Sequence, residues 1–204
     1  YYNGNSKIGS IAGETTSNVA SDSAKKNAAS VRDSAKALQE DSLALLSKGK
    51  DSVFTKKNVR QDDGTVKSEY DTDAIYKAVS KFVKDYNSTI ESAASSEDSS
   101  VLSSTASMVK ATKANSNLLA DVGISIGSDN KLTIDEKAFK SANMTDVKSI
   151  FNGTGSYAYG IASSSSNIYN KSVSQLANLN GYSYTSTGSY SSYQYTGSLY
   201  SQYK

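Results

Sequence analysis

The segment DVGISIGSDNKLTIDEKAF, residues 121–139, carries the most position-specific pattern in the chain. Val122, Ile124 and Ile126 alternate with small or polar residues, the period of a half-buried strand. Ser128 to Lys131 supply turn chemistry, and Leu132 and Ile134 return as a second strand. Gly123 suits a tight exit from a preceding helix, and Asp135 suits the cap of a following one. The expected unit is therefore helix exit, hairpin and capped short helix.

The acidic turn also invites a calcium reading through Asp129, Asn130, Asp135 and Glu136. An EF-hand needs ligands at alternate loop positions and a Gly at mid-loop, and this spacing provides neither, so the hairpin reading prevails and no metal is expected. Asp62-Asp63 before Gly64 is the other acid pair, and adjacent carboxylates in a Gly turn point to solvent rather than share a proton. Asn-x-Ser/Thr triplets begin at Asn87, Asn143, Asn152 and Asn170, but they arise readily in a chain so rich in Ser, Thr and Asn and are given no role.

Working upstream, Ile75, Val79, Phe82, Tyr86 and Ile90 recur on one helical face, and Asp71 and Asp73 lie where carboxylates favour a helix start. A polar break at residues 95–99 separates this helix from another over about 99–121, carrying Leu102, Ala106, Val109 and Leu119. The two are expected to form an antiparallel pair. Asn58 to Tyr70 places Asp63-Gly64 between short alternating runs, a hairpin signal.

Nearer the start, Ala24, Val31, Leu38 and Leu45 recur every seven residues, with Ala28, Ala35 and Ser42 between them. That spacing predicts a helix over roughly 17–48, ended by Gly49, with an apolar seam that requires a partner helix. Downstream, a short helix from Thr145 to Phe151 precedes GTGSYAYG. A final amphipathic segment then carries Ala162, Ser166, Tyr169, Val173 and Leu176 and is the natural partner of the long seam. Residues 1–15 read as a flexible lead-in, 16–180 as one helical domain, and 181–204, with seven of the fifteen Tyr among Ser, Thr and Gly, as a low-complexity tail.

Composition narrows the chemistry. The 204 residues hold no Cys and no His, which leaves no disulfide, no thiolate nucleophile, no Ser-His triad and no Cys/His-ligated metal. With 22 basic and 20 acidic residues interspersed, no basic field suited to nucleic acid or an anionic membrane is built; Lys25-Lys26 and Lys56-Lys57 with Arg60 are each offset by nearby acids. No apolar run reaches the ~20 residues of a membrane span. A non-enzymatic protein without cofactor is expected.

The ordered set Leu119, Asp121, Gly123-Ile124, Asp129-Asn130-Lys131-Leu132, Asp135, Phe139, Ala142, Val147 and Ile150-Phe151-Asn152-Gly153 resembles the C-terminal region of bacterial flagellar filament-capping proteins, the hook-associated protein 2 family. AVSKFVKDYNSTIES, residues 78–92, is similar to the helix that opens that region, with Phe82-Val83, Tyr86 and Asn87 matching its recurring pattern. The similarity runs from about Ile75 to Leu176. It implies a mainly α fold with small β-hairpins, arranged as an elongated antiparallel helical bundle or coiled coil of the flagellin-like superfamily. It further implies a secreted, homo-oligomeric protein at the flagellum or cell surface, partnered by filament or flagellin subunits, assembling through the helix seams and assisting or terminating filament growth. The amino-terminal portion of a full capping protein is not in this chain, and the Tyr-rich tail stands where such proteins carry a helix. The second reading is a surface adhesin that presents that tail to a partner such as a glycan, because Tyr among Ser and Gly suits adaptable binding loops.

Overall fold

A computed structural model describes residues 12–180 and two short paired segments, Ser183–Tyr184 and Tyr190–Ser191, with side chains described over 22–179. The lead-in before residue 12 and the rest of the 181–204 tail lie outside the described residues. Helix α1 spans Ala12–Leu46, starting earlier than the sequence pattern suggests, and a 3-10 turn follows at Gly49–Asp51. Strands β1 (Lys57–Arg60) and β2 (Val66–Glu69) then form an antiparallel hairpin.

Helix α2 (Thr72–Ala94) begins where expected, because the Asp71 carboxylate accepts from the Ala74 N–H at 2.9 Å and so satisfies a donor the helix leaves free. Helix α3 (Ser99–Ala114) is capped in the same way by Asp98, which accepts from Ser100 and Val101 N–H at 2.8 and 3.1 Å. The single helix expected over 99–121 is interrupted at Asn115, and its last residues form a separate short helix, α4 (Ser116–Asp121). Strands β3 (Ile124–Ile126) and β4 (Leu132–Ile134) pair antiparallel, and helices α5 (Glu136–Ser141), α6 (Met144–Phe151) and α7 (Tyr157–Asn180) follow. The mainly α architecture with small hairpins is thus the observed one.

Helices α1 and α7 make the most extensive packing in the molecule, followed by α1 with α2 and α3 with α7. The pairs run antiparallel: Leu43 and Leu46 of α1 sit beside Tyr159 and Ala162 of α7, whereas Asn27 sits near Gln175 and Asn178. Helix α3 therefore lies chiefly against α7 and only lightly against α2, a correction to the expected α2/α3 pair. At the centre, Phe82, Phe151 and Tyr157 meet edge to face with centroids 5.6 to 6.1 Å apart, locking α2, α6 and α7 together. The Tyr157 hydroxyl lies 3.1 Å from Thr112 Oγ1 of α3, and burial pushes its pKa up.

Two helices bury a different face from the one hydrophobicity alone selects. In α3 the buried residues are Val101, Thr105, Met108 and Thr112, whereas Leu102 is 41% exposed, Ala106 is exposed and Val109 is only half-buried. In α7 they include Ile161, Ser165, Ile168 and Ser172, whereas Val173 is 40% exposed. The cause is common to both: Thr105, Thr112, Ser165 and Ser172 each donate the hydroxyl to the carbonyl four residues back, at 2.8 to 3.0 Å. A hydroxyl so satisfied can enter a close-packed interface without leaving a stranded donor.

Candidate functional site

The expected seam is present, and the chain itself covers it. Ala28, Val31, Ala35, Leu38 and Leu45 are all buried to within 1%, and Ala24, near the edge, is half-buried. Ser42 completes the row by donating to the Leu38 carbonyl at 2.7 Å. Of the facing residues, Tyr169 is half-buried against the core and Leu176 is half-buried, but Val173 is not part of the seam; Ile161, Ile168 and Ser172 take that role. Small side chains let α1 and α7 approach closely, and Leu38 and Leu45 fill the end nearest α6.

What remains on the outside of the α1/α7 pair is a shallow groove of about 310 Å³ lined by Gln39, Leu43, Leu46, Tyr159, Ala162 and Ser166, among others. Leu43 is 52% and Tyr159 49% exposed, so an apolar strip remains open at the surface. Sequence reasoning had no signal for it beyond Leu43 breaking the heptad phase of its neighbours.

The hairpin residues come together as the spacing implies. Ile124 pairs with Ile134 and Ile126 with Leu132, with Ile124 and Leu132 buried. Asp129 accepts from the Lys131 N–H at 3.1 Å, which makes it a turn former, and Asn130 takes the left-handed conformation at φ 64°. Asp135 accepts from the Ala138 N–H at 2.7 Å and caps α5. Gly123 has φ 78°, and a Cβ there would lie 2.9 Å from Ala138 Cβ and the Phe139 nitrogen, so only glycine fits between helix exit and helix start.

Asn87 and Asn152 have roles the sequence did not reveal. The Asn87 side chain donates to the Leu132 carbonyl at 2.8 Å and accepts from the Leu132 N–H at 2.7 Å, behaving as one residue of a third strand. Asn152 donates to the carbonyls of Leu45 and Ser47, the latter at 3.1 Å, closing the C-terminal end of α1 against the loop that leads to α7.

One acid pair has unusual electrostatics. Lys81 of α2 donates to Asp41 of α1 and, at 3.2 Å, to Asp85. The second Asp41 oxygen is buried without a partner. Burial, chiefly, pushes the Asp41 carboxyl up to about 6, opposed by the Lys81 ammonium and reinforced by Asp85. The cluster lies between two packed helices and lines neither the outer groove nor the second groove, which is formed by Asn27, Glu97, Asp98 and Gln175, among others. Among the described residues no group of three or more Asp or Glu is placed to hold a metal ion, and no helix is long and apolar enough to cross a membrane.

Comparison of the chain with protein-family models, curated proteins and solved structures found no match.

Proposed function

We propose that this chain is a structural protein of an extracellular bacterial filament, of flagellar-cap type, built as an elongated flagellin-like antiparallel bundle that contacts flagellin or filament subunits through helix surfaces. The observation that carries the reading is the ordered capping-family pattern from Phe82-Val83 to Asn152, three of whose polar members hold specific joints. Asn87 holds Leu132, Asp135 starts α5 and Asn152 closes α1. A pattern that falls at joints rather than at a cleft is what a scaffold needs.

In this proposal the inner seam holds the bundle together, and the open strip at Leu43 and Tyr159 meets the filament. The test is sedimentation of the purified protein with flagellar filaments, with gold labelling to locate it by electron microscopy. Binding at filament ends is expected, and it should be lost in Leu43→Asp with Tyr159→Asp while circular dichroism stays unchanged. A protein that stays in the supernatant at saturating filament ends would overturn the proposal.

A further inference from the structure

The β1/β2 hairpin is out of keeping with the rest of the molecule. All eight of its strand residues are exposed, including Val59 at 43% and Val66 at 63%. A two-stranded ribbon with no apolar face against a core is marginal in water and gains most from further strands. Hairpin β3/β4 differs in this respect, because its outward-facing groups at Leu132 are already met by Asn87.

Hydrogen-bond alternation shows what the free edge of β2 offers. Gln61 N–H donates to the Thr65 carbonyl at 2.8 Å, so these two residues turn their peptide groups toward each other. Stepping by two along the Val59/Lys67 and Lys57/Glu69 pairs, the groups of Lys67 and Glu69 also face β1, while those of Val66 and Ser68 face outward. Among the described residues, no side chain bonds to the outward groups of Val66 or Ser68, and neither Lys67 nor Glu69 has an ion-pair partner. Lys57, across from Glu69, is instead bound to Asp71 at 2.7 Å.

We propose that β2 of one copy pairs antiparallel with β2 of a second copy about a twofold axis at Ser68, making a continuous four-stranded sheet. In this register Ser68 exchanges backbone hydrogen bonds with Ser68 of the second copy. Lys67 then falls opposite Glu69 of the second copy, twice by symmetry, and exposed Val66 falls opposite Tyr70. The other edge is unsuited to the same use. Its outward residues are Asn58 and Arg60, and the corresponding twofold pairing of β1 would set Arg60 against Lys56, again twice. Like charges directly opposite oppose strand addition, so charge selects the β2 edge.

Charge reversal separates this interface from any other. Glu69→Lys places lysine against lysine at both symmetric positions, and Lys67→Glu places glutamate against glutamate. Each variant alone is expected to dimerise at least about tenfold more weakly than the parent in sedimentation equilibrium of the full chain, because two attractive pairs become repulsive. An equimolar mixture of the two variants restores opposite charges at every position and is expected to form the heterodimer. Ser68→Pro, which removes an outward N–H and leaves the β1 ladder intact, is expected to be monomeric with an unchanged circular dichroism spectrum. A parent protein that stays monomeric up to millimolar concentration overturns the proposal. So does a dimer that all three variants retain, or a mixture that fails to associate.

Discussion

Replacing Asn87 by alanine tests how the central hairpin is held to α2. The side chain makes two hydrogen bonds to the backbone of one residue, 2.7 Å from the Leu132 nitrogen and 2.8 Å from its oxygen. A neutral hydrogen bond contributes about 1 kcal/mol net, and stranding a part-buried peptide group adds to that, so Asn87→Ala should cost roughly 2–3 kcal/mol. For a domain of this size that corresponds to about 5–10 °C in Tm. Guanidinium unfolding followed by far-UV circular dichroism gives the free energy, and hydrogen exchange at the Leu132 amide reports the local loss. Asn87→Asp sharpens the test, because it keeps an acceptor for the Leu132 N–H but sets a second oxygen against the Leu132 carbonyl. It should be at least as destabilising at neutral pH and recover in acid, where the introduced carboxyl is protonated and can donate. A loss below about 0.5 kcal/mol for alanine, or no acid recovery for aspartate, would refute the third-strand account of this residue.

Three further outcomes follow from the same structure. Gly123→Ala, which combines positive φ with a 2.9 Å approach to the Phe139 backbone nitrogen, should cost more than the ~1 kcal/mol of left-handed strain alone, as urea unfolding would show. Leu38→Ala, at a fully buried seam position, should cost about 2–5 kcal/mol, whereas Gln39→Ala beside it should stay within about 0.5 kcal/mol in the same thermal melts. Asp41 has a folded pKa of about 6, above its ordinary value of 3.8, so its contribution favours folding in acid and is lost as pH rises through 6; Asp41→Asn should flatten that part of the stability profile between pH 4 and 7. The capping carboxylates Asp71 and Asp98, held low by Lys57 and Ser100 respectively, act in the opposite sense and lose their contribution as pH falls.

The elements the sequence made legible are those with strong local chemistry. Asp71, Asp135 and the Asp63-Gly64 turn announce themselves because capping and turn formation need particular residues at particular places. The buried face of α2 was equally plain, since Ile75, Val79, Phe82, Tyr86 and Ile90 are large and regularly spaced. Serine-rich and threonine-rich helices were harder. A hydropathy pattern rates Thr105 and Ser172 as surface and Leu102 and Val173 as core, although the hydroxyls are satisfied by their own helix and bury well. Asn87 and Asn152 act across 45 residues or more, a reach no local pattern encodes.

The antiparallel pairing of α1 with α7 also has a temporal side. More than a hundred residues separate Leu46 from Tyr157, so a chain made from its amino end completes the first helix long before the second exists. At about 5–20 residues per second that interval is on the order of 5–20 s. An uncovered leucine-rich heptad would be sticky for all of it. The row of Ala24, Ala28, Ala35 and Ser42 offers little to non-specific contacts, yet supports close approach once the proper mate arrives. Small residues in the seam thus protect the nascent chain as well as shape the finished bundle, and enlarging Ala28 or Ala35 to leucine would first be felt as lower yield of folded protein during synthesis.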